Sequence, residues 1–132
     1  MKPTFMNRGY TLTEIMVVMI ILGVVVSLAL PRYATSVERT KAAEGVQILE
    51  ALHHAQQIYF LEHNHTYATD PAFLDIAISL SQNFDAPTVS NPNNGGAIAS
   101  IQRTNGTYTL TIDTNGTVGC VGSADPCHQA GY

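Results

Sequence analysis

Glu14 stands at the mouth of Ile15–Leu30, a run of 16 residues without a single charge. A carboxylate so close to hydrocarbon is costly, roughly 2.5–3.5 kcal/mol at the centre of a membrane helix and less near an interface. Such a group either takes up a proton or finds a cation. The spacing Thr11-x-x-Glu14 also matches a capping box, in which hydroxyl and carboxylate satisfy the first amides of a helix reciprocally. Both uses can hold together, so the cap does not displace the functional one.

The other residues capable of chemistry are scattered. His53 and His54 are adjacent, so on a helix they point in different directions. His63 and His65 fall in an expected loop, and His128 in the tail. None pairs with another histidine at i, i+4, so they read as solvated polar residues rather than ligands. Cys120 and Cys127 are separated by six residues, a spacing that fits neither a zinc pair nor a redox motif. That leaves a disulfide or two free thiols. Asn64-x-Thr66, Asn105-x-Thr107 and Asn115-x-Thr117 match the glycosylation pattern, but the last two belong to turns and turn chemistry accounts for them better. There is no acid pair and no serine or cysteine constellation for catalysis. No enzymatic activity, cofactor or metal site is expected, and Tyr67 is expected to anchor a loop to the core.

The 132 residues make one small domain with an N-terminal extension. About 100 residues remain beyond the apolar run, enough for a modest core. From Ala42 onward one basic residue, Arg103, stands against eight acidic ones. Such a surface repels nucleic acid, so no direct nucleic-acid partner is expected. Ile15–Leu30 alone falls short of the roughly 20 residues that span a bilayer. Uncharged Tyr10–Thr13, with Glu14 tolerated, makes up the difference. Lys2 and Arg8 lie on one side, and Arg32, Arg39 and Lys41 on the other, so charge does not settle orientation.

After Pro31 a helical pattern resumes. Ile48, Leu52, Ala55 and Tyr59 form a stripe, widened by Val46, Leu49 and Phe60. Glu38, Arg39, Lys41, Glu44 and Glu50 mark the wet side. Pro31 is expected to kink the helix or loosen its hydrogen bonds rather than end it. A helix from Thr11 to about Glu62 would be roughly 78 Å long. No monomer of this size covers such a rod, so its first half must lie in lipid or against copies of itself. Asn64 to about Asn94 is expected to be irregular, with a short helical turn from Thr69-Asp70-Pro71 through Leu74. Asn91-Pro92-Asn93-Asn94-Gly95-Gly96 is loop chemistry. Ala97–Arg103, Thr107–Asp113 and Thr117–Cys120 then read as a β-meander whose Asn-Gly turns supply positive φ. Tyr108, Leu110 and Ile112 would face the helix, and the intervening threonines would face solvent.

Gly9-Tyr10-Thr11-Leu12-Thr13-Glu14, continued by Gly23, Pro31 and Tyr33, resembles the processing site and helix of type IV prepilins and pseudopilins. The resemblance covers about the first 33 residues strongly. It implies that a membrane peptidase and methyltransferase cuts after Gly9 and methylates the new amine of Tyr10. It also implies that Glu14, five places past the cut, serves assembly by pairing with the Tyr10 amine of a neighbouring subunit. Tyr10 stands where the family usually has phenylalanine, and Thr13 where it has an aliphatic residue. Gly23 and Pro31 fall at its helix-kinking positions. The implied fold is α+β: a long N-terminal α-helix, its first half transmembrane, packed against a small antiparallel sheet. Residues 1–9 would be leader, 10–31 the transmembrane and filament-core half, and 32–132 the globular domain.

The resemblance also favours a disulfide between Cys120 and Cys127, since many pilins close a C-terminal loop in this way and an exported domain meets oxidising surroundings. The implied partners are copies of the chain in a helical filament, the inner-membrane assembly machinery, and lipid before assembly. The implied location is the bacterial inner membrane, single-pass, then a surface pilus or periplasmic pseudopilus. Cleavage would leave four basic residues against ten acidic ones. Two alternatives stand beside the pilin reading. A type II secretion pseudopilin fits the same motif, although major pseudopilins typically carry a calcium loop where this chain has only scattered acids such as Asp113 and Asp125. An ordinary signal peptide would use Lys2 and Arg8, the apolar run, and cleavage at Ser27-Leu28-Ala29, but gives Gly9 and Glu14 no role.

Overall fold

The computed structural model describes residues 9–78, 81–92 and 95–132. The leader segment 1–8 and Asn93-Asn94 of the expected loop lie outside the described residues. The chain divides into two units, Met1–Ala34 and Thr35–Tyr132. Helix α1, Leu12–Glu62, has residues in both, and Gly9–Thr11 precede it.

In the first unit the apolar side chains of α1 are bare, from 47% exposed at Ile15 to 76% at Leu12. Valine and isoleucine are mediocre helix formers in water. In lipid, however, a helix satisfies every backbone group within the segment. The hydroxyl of Ser27 donates a hydrogen bond to the Val24 carbonyl at 2.7 Å, so it adds no unpaired donor to that surface.

In the second unit α1 packs on an antiparallel sheet of order β1-β2-β3-β4, formed by Thr88–Val89, Ala97–Gln102, Tyr108–Asp113 and Val118–Gly122. A 3-10 turn at Pro71–Phe73 is capped by Asp70, whose carboxylate accepts the Ala72 amide at 2.8 Å. Helix α2, Ala124–Ala130, closes the described chain before Gly131, whose φ of 100° caps it. Tyr108, Leu110 and Ile112 are buried and alternate with half-exposed threonines, as the β pattern requires. On the helix the buried line is Ala42, Gly45, Leu49, Leu52 and Gln56, with Val46, Ile48, Ala55 and Tyr59 packed at its margins. Complete burial of Leu49 or Leu52 is worth about 1.5–3 kcal/mol each.

Several expectations shift. The buried line runs through Leu49 rather than Ile48 because Gly45 lets the helix approach the sheet: a Cβ there would come within 2.7 Å of the Phe84 ring. Gln56, fully buried, replaces an apolar residue in that line. Its amide accepts from the Ala68 N–H at 2.8 Å and donates to the Ala68 carbonyl at 2.9 Å and the Ile98 carbonyl at 3.4 Å. One side chain thereby ties helix, loop and β2. A bulge shifts register between Ala97 and Ala99, and both Ile98 and Ala99 are buried, which interrupts the alternation. In the two hairpins only Gly106 and Gly116 take positive φ; Asn105 and Asn115 do not. Each loop turns on an i to i+3 bond, Gly106 N–H to Arg103 and Gly116 N–H to Asp113. The β3–β4 connection is the three-residue loop with a left-handed glycine, closed by the Asp113 N–H on the Thr117 carbonyl, whereas the β2–β3 loop spans four residues, 104–107, closed by the Arg103 N–H on the Tyr108 carbonyl; neither is the two-residue turn. Strand β1 and helix α2 were not expected.

Glu38 and Glu44 are not simply wet. The Glu38 carboxylate accepts from Arg103 Nε at 2.8 Å and from the Tyr108 hydroxyl at 3.0 Å, and its side chain is only 20% exposed. Arg103, 7% exposed, also donates to the Asn83 carbonyl and covers the Phe84 ring. Glu44 accepts from Asn83 Nδ2 at 2.8 Å. The Arg103 bond, offset in part by burial, holds Glu38 below its ordinary value of 4.5, while burial and the same carboxylate push Tyr108 up to about 12. The Thr117 amide likewise lowers Asp113. Because the folded Glu38 is the stronger acid, its contribution to stability is fully present above pH 4.5 and is lost as pH falls from there through the folded value. The detergent-solubilised chain should therefore melt progressively earlier below that pH. Glu38→Gln should flatten the decline in thermal melts; an unchanged slope would remove Glu38 from the account.

Candidate processing and assembly site

The first described residues place the motif at the open end of α1. Among the described residues no atom beyond the chain neighbours lies within 4 Å of the position a Gly9 Cβ would occupy, and Tyr10 is 81% exposed. The Gly9–Tyr10 peptide bond is therefore accessible. Two residues on, the helix starts with a reciprocal cap: the Glu14 N–H donates to Thr11 Oγ1 at 3.3 Å, and the Thr11 N–H donates to Glu14 Oε2 at 3.3 Å. Thr11 Oγ1 also lies 3.3 Å from Oε2 and 3.1 Å from Thr13 Oγ1. The cap turns the carboxylate back along the chain, toward the amide next to Tyr10, where the positive end of the helix favours it. All its hydrogen bonds to described residues use Oε2. Oε1 makes no hydrogen bond to a described residue.

Beyond Glu14 the helix offers an apolar surface long enough to cross a membrane, none of it buried within the chain. Gly23 has open space where a Cβ would go, and the backbone is helical through both Gly23 and Pro31. Among the described residues none would touch a side chain placed at position 23 through its Cβ.

The cysteines are brought together elsewhere. Cys120 of β4 and Cys127 of α2 form a disulfide, with Cα atoms 5.8 Å apart, which fastens α2 to the sheet edge. The bond closes a span of seven residues, and chain-entropy reasoning assigns such a loop about 2.5 kcal/mol. Reduction should lower unfolding stability by about that much, and untreated protein should resist alkylation at both thiols. Ready alkylation without reductant would contradict the bond.

The histidines do not converge. His53 pairs with the Thr114 carbonyl at 3.3 Å, His63 stacks on Tyr59, and His65 meets the edge of Phe60. Among the described residues no three potential ligands cluster for a metal. Tyr67 stacks on Phe60 with ring centres 4.6 Å apart and packs on the core. The residues sequence reasoning missed, Gln56, Glu38 and Arg103, serve the fold. Only the polar interruption of an apolar stripe signalled Gln56.

A processing motif at the head of a bare apolar helix, followed by that helix packed on a small antiparallel sheet, defines a pilin-like protein. The profile of the prokaryotic N-terminal methylation motif matches residues 5–30. Over 89 residues the chain is 36% identical to the type II secretion system core protein G of Escherichia coli (strain K12), a match covering 67% of this chain and 57% of that protein. It is 39% identical over 56 residues to the type IV major pilin protein PilA of Myxococcus xanthus (strain DK1622), covering 42% and 26%. It is 38% identical over 47 residues to a type IV major fimbrial protein FimA of Dichelobacter nodosus, covering 36% and 29%. The chain thus spans a little over half of the secretion protein and under a third of the two pilins. The motif and these relatives support a type IV pilin or pseudopilin.

Proposed function

We propose that the chain is a structural subunit that is cut after Gly9, methylated on the amine of Tyr10, held in the membrane by its apolar helix, and then polymerised into a filament. Residues 1–9 would be removed, 10–31 would form the membrane anchor and later the filament core, and 32–132 would form the outer domain. Gly23 and Pro31 would let the core half bend. The prepilin peptidase and the inner-membrane assembly machinery would be its partners, with lipid around the anchor before assembly. The subunit would pass from the inner membrane to a surface pilus or a periplasmic pseudopilus. The observation that carries this reading is the motif at Gly9–Glu14 opening a helix whose apolar side chains find no cover in their own chain. Packing against neighbouring copies would cover that surface when the helix leaves lipid, and the acidic outer domain argues against direct nucleic-acid contact.

Electron microscopy of cells producing the full chain with a pilus or secretion apparatus should reveal fibres that antibody to the chain decorates. Their absence, with the subunit cleaved and abundant, would count against polymerisation. A pseudopilin role is the second reading, favoured by the longer match to the secretion protein. Dependence of export on the chain, without long surface fibres, would select it.

A further inference from the structure

We infer that an acid-rimmed groove between α1 and residues 73–78 receives Arg39 of a second copy in a head-to-tail contact. The inference deepens the filament reading and rests on it. Two adjoining hollows of about 270 and 380 Å³ share Ala51 and Ile76. Their apolar lining includes Ile48, Ile58 and Phe73, of which Ile58 and Phe73 are 58% and 61% exposed. Glu62 and Asp75 stand along the larger hollow. Both are exposed, and neither carboxylate bonds to a described residue. Glu44, beside the smaller hollow, is already held by Asn83. The occupant the groove suits is therefore an apolar stem with a cationic head.

The chain itself carries that shape. Beyond Ala42 its one basic residue, Arg103, is buried against Glu38, and Lys41 is paired with the same carboxylate at 3.7 Å. Arg39 is exposed. An arginine lays its methylenes on apolar surface while its planar head reaches carboxylates. Arg39 and the acidic groove are different places on one molecule, since Arg39 is not among the residues lining either hollow. A contact between them is heterologous, and repeats into an open helical array unless the rotation closes it. One exposed ion pair is weak, but here every subunit repeats it over an apolar floor.

The test uses the full chain in a host without its own copy, scoring sheared filaments and membrane-held subunit. Arg39→Glu or Asp75→Arg alone should cut filament yield by about tenfold or more, because each sets like charges face to face. Producing the two variants together should restore filaments, since each then supplies the partner the other lacks, and the doubly substituted chain should recover likewise. If Asp75→Arg lowers the amount of subunit, Glu62→Arg takes its place. Normal filaments from either single variant would overturn the inference. So would a mixture that stays as poor as its components; rescue by the double chain alone would place the pair inside one subunit. Absence of filaments from the unaltered chain would instead count against the subunit reading itself.

Discussion

Cells making Gly9→Val should hold the full-length, uncleaved chain in their membranes and carry no filaments. Open space surrounds the position a Cβ would take at Gly9, so the chain's own fold offers no objection to valine. Any effect must come from a second protein that needs the backbone bare at that bond. The apolar helix is untouched, so membrane retention should not change. A processing gel separates cut from uncut chain, and normal cleavage of the variant would sink the idea.

Glu14→Ala should behave differently: cleaved, membrane-held, and poorly assembled. Two roles for the carboxylate make distinct quantitative demands. As a cap alone, its loss costs about 0.5–2 kcal/mol of helix stability, and a long helix in lipid tolerates that. As the partner of a neighbour's Tyr10 amine, its loss leaves a buried cation unpaired at every contact, a penalty of about 3–5 kcal/mol each. The geometry lets one carboxylate do both, since Oε2 serves the Thr11 amide while Oε1 makes no hydrogen bond to a described residue. Electron microscopy and a processing gel on this one variant separate the roles. Abundant filaments from cleaved Glu14→Ala subunits would leave capping as the whole function.

Most of the architecture was legible because its signals are local and periodic. The apolar run, the resumed stripe beyond Pro31, and the alternation of Tyr108, Leu110 and Ile112 each depend on a few neighbours along the chain. The capping box was legible for the same reason, as two residues three apart. What escaped depends on tertiary context. Glu38 looks like a solvent-facing acid until Arg103, 65 residues away, folds onto it. Gln56 looks like a flaw in an apolar stripe until the Ala68 and Ile98 backbones need its amide. Gly45 displaces the buried line only because Phe84 lies opposite. Strand β1 has two residues, too few for any pattern. Helix α2 is short, contains Pro126, and is fastened by a disulfide rather than announced by periodicity.

The central claim is that the chain matures by losing a short leader ahead of an intact apolar helix. Mass spectrometry of the N-terminal peptide from membrane or filament material tests it most directly. The peptide should begin at Tyr10 and be heavier than the unmodified sequence by one methyl group. A mature chain beginning at Leu30, with the apolar run removed, would contradict the account, because neither anchor nor filament core would remain.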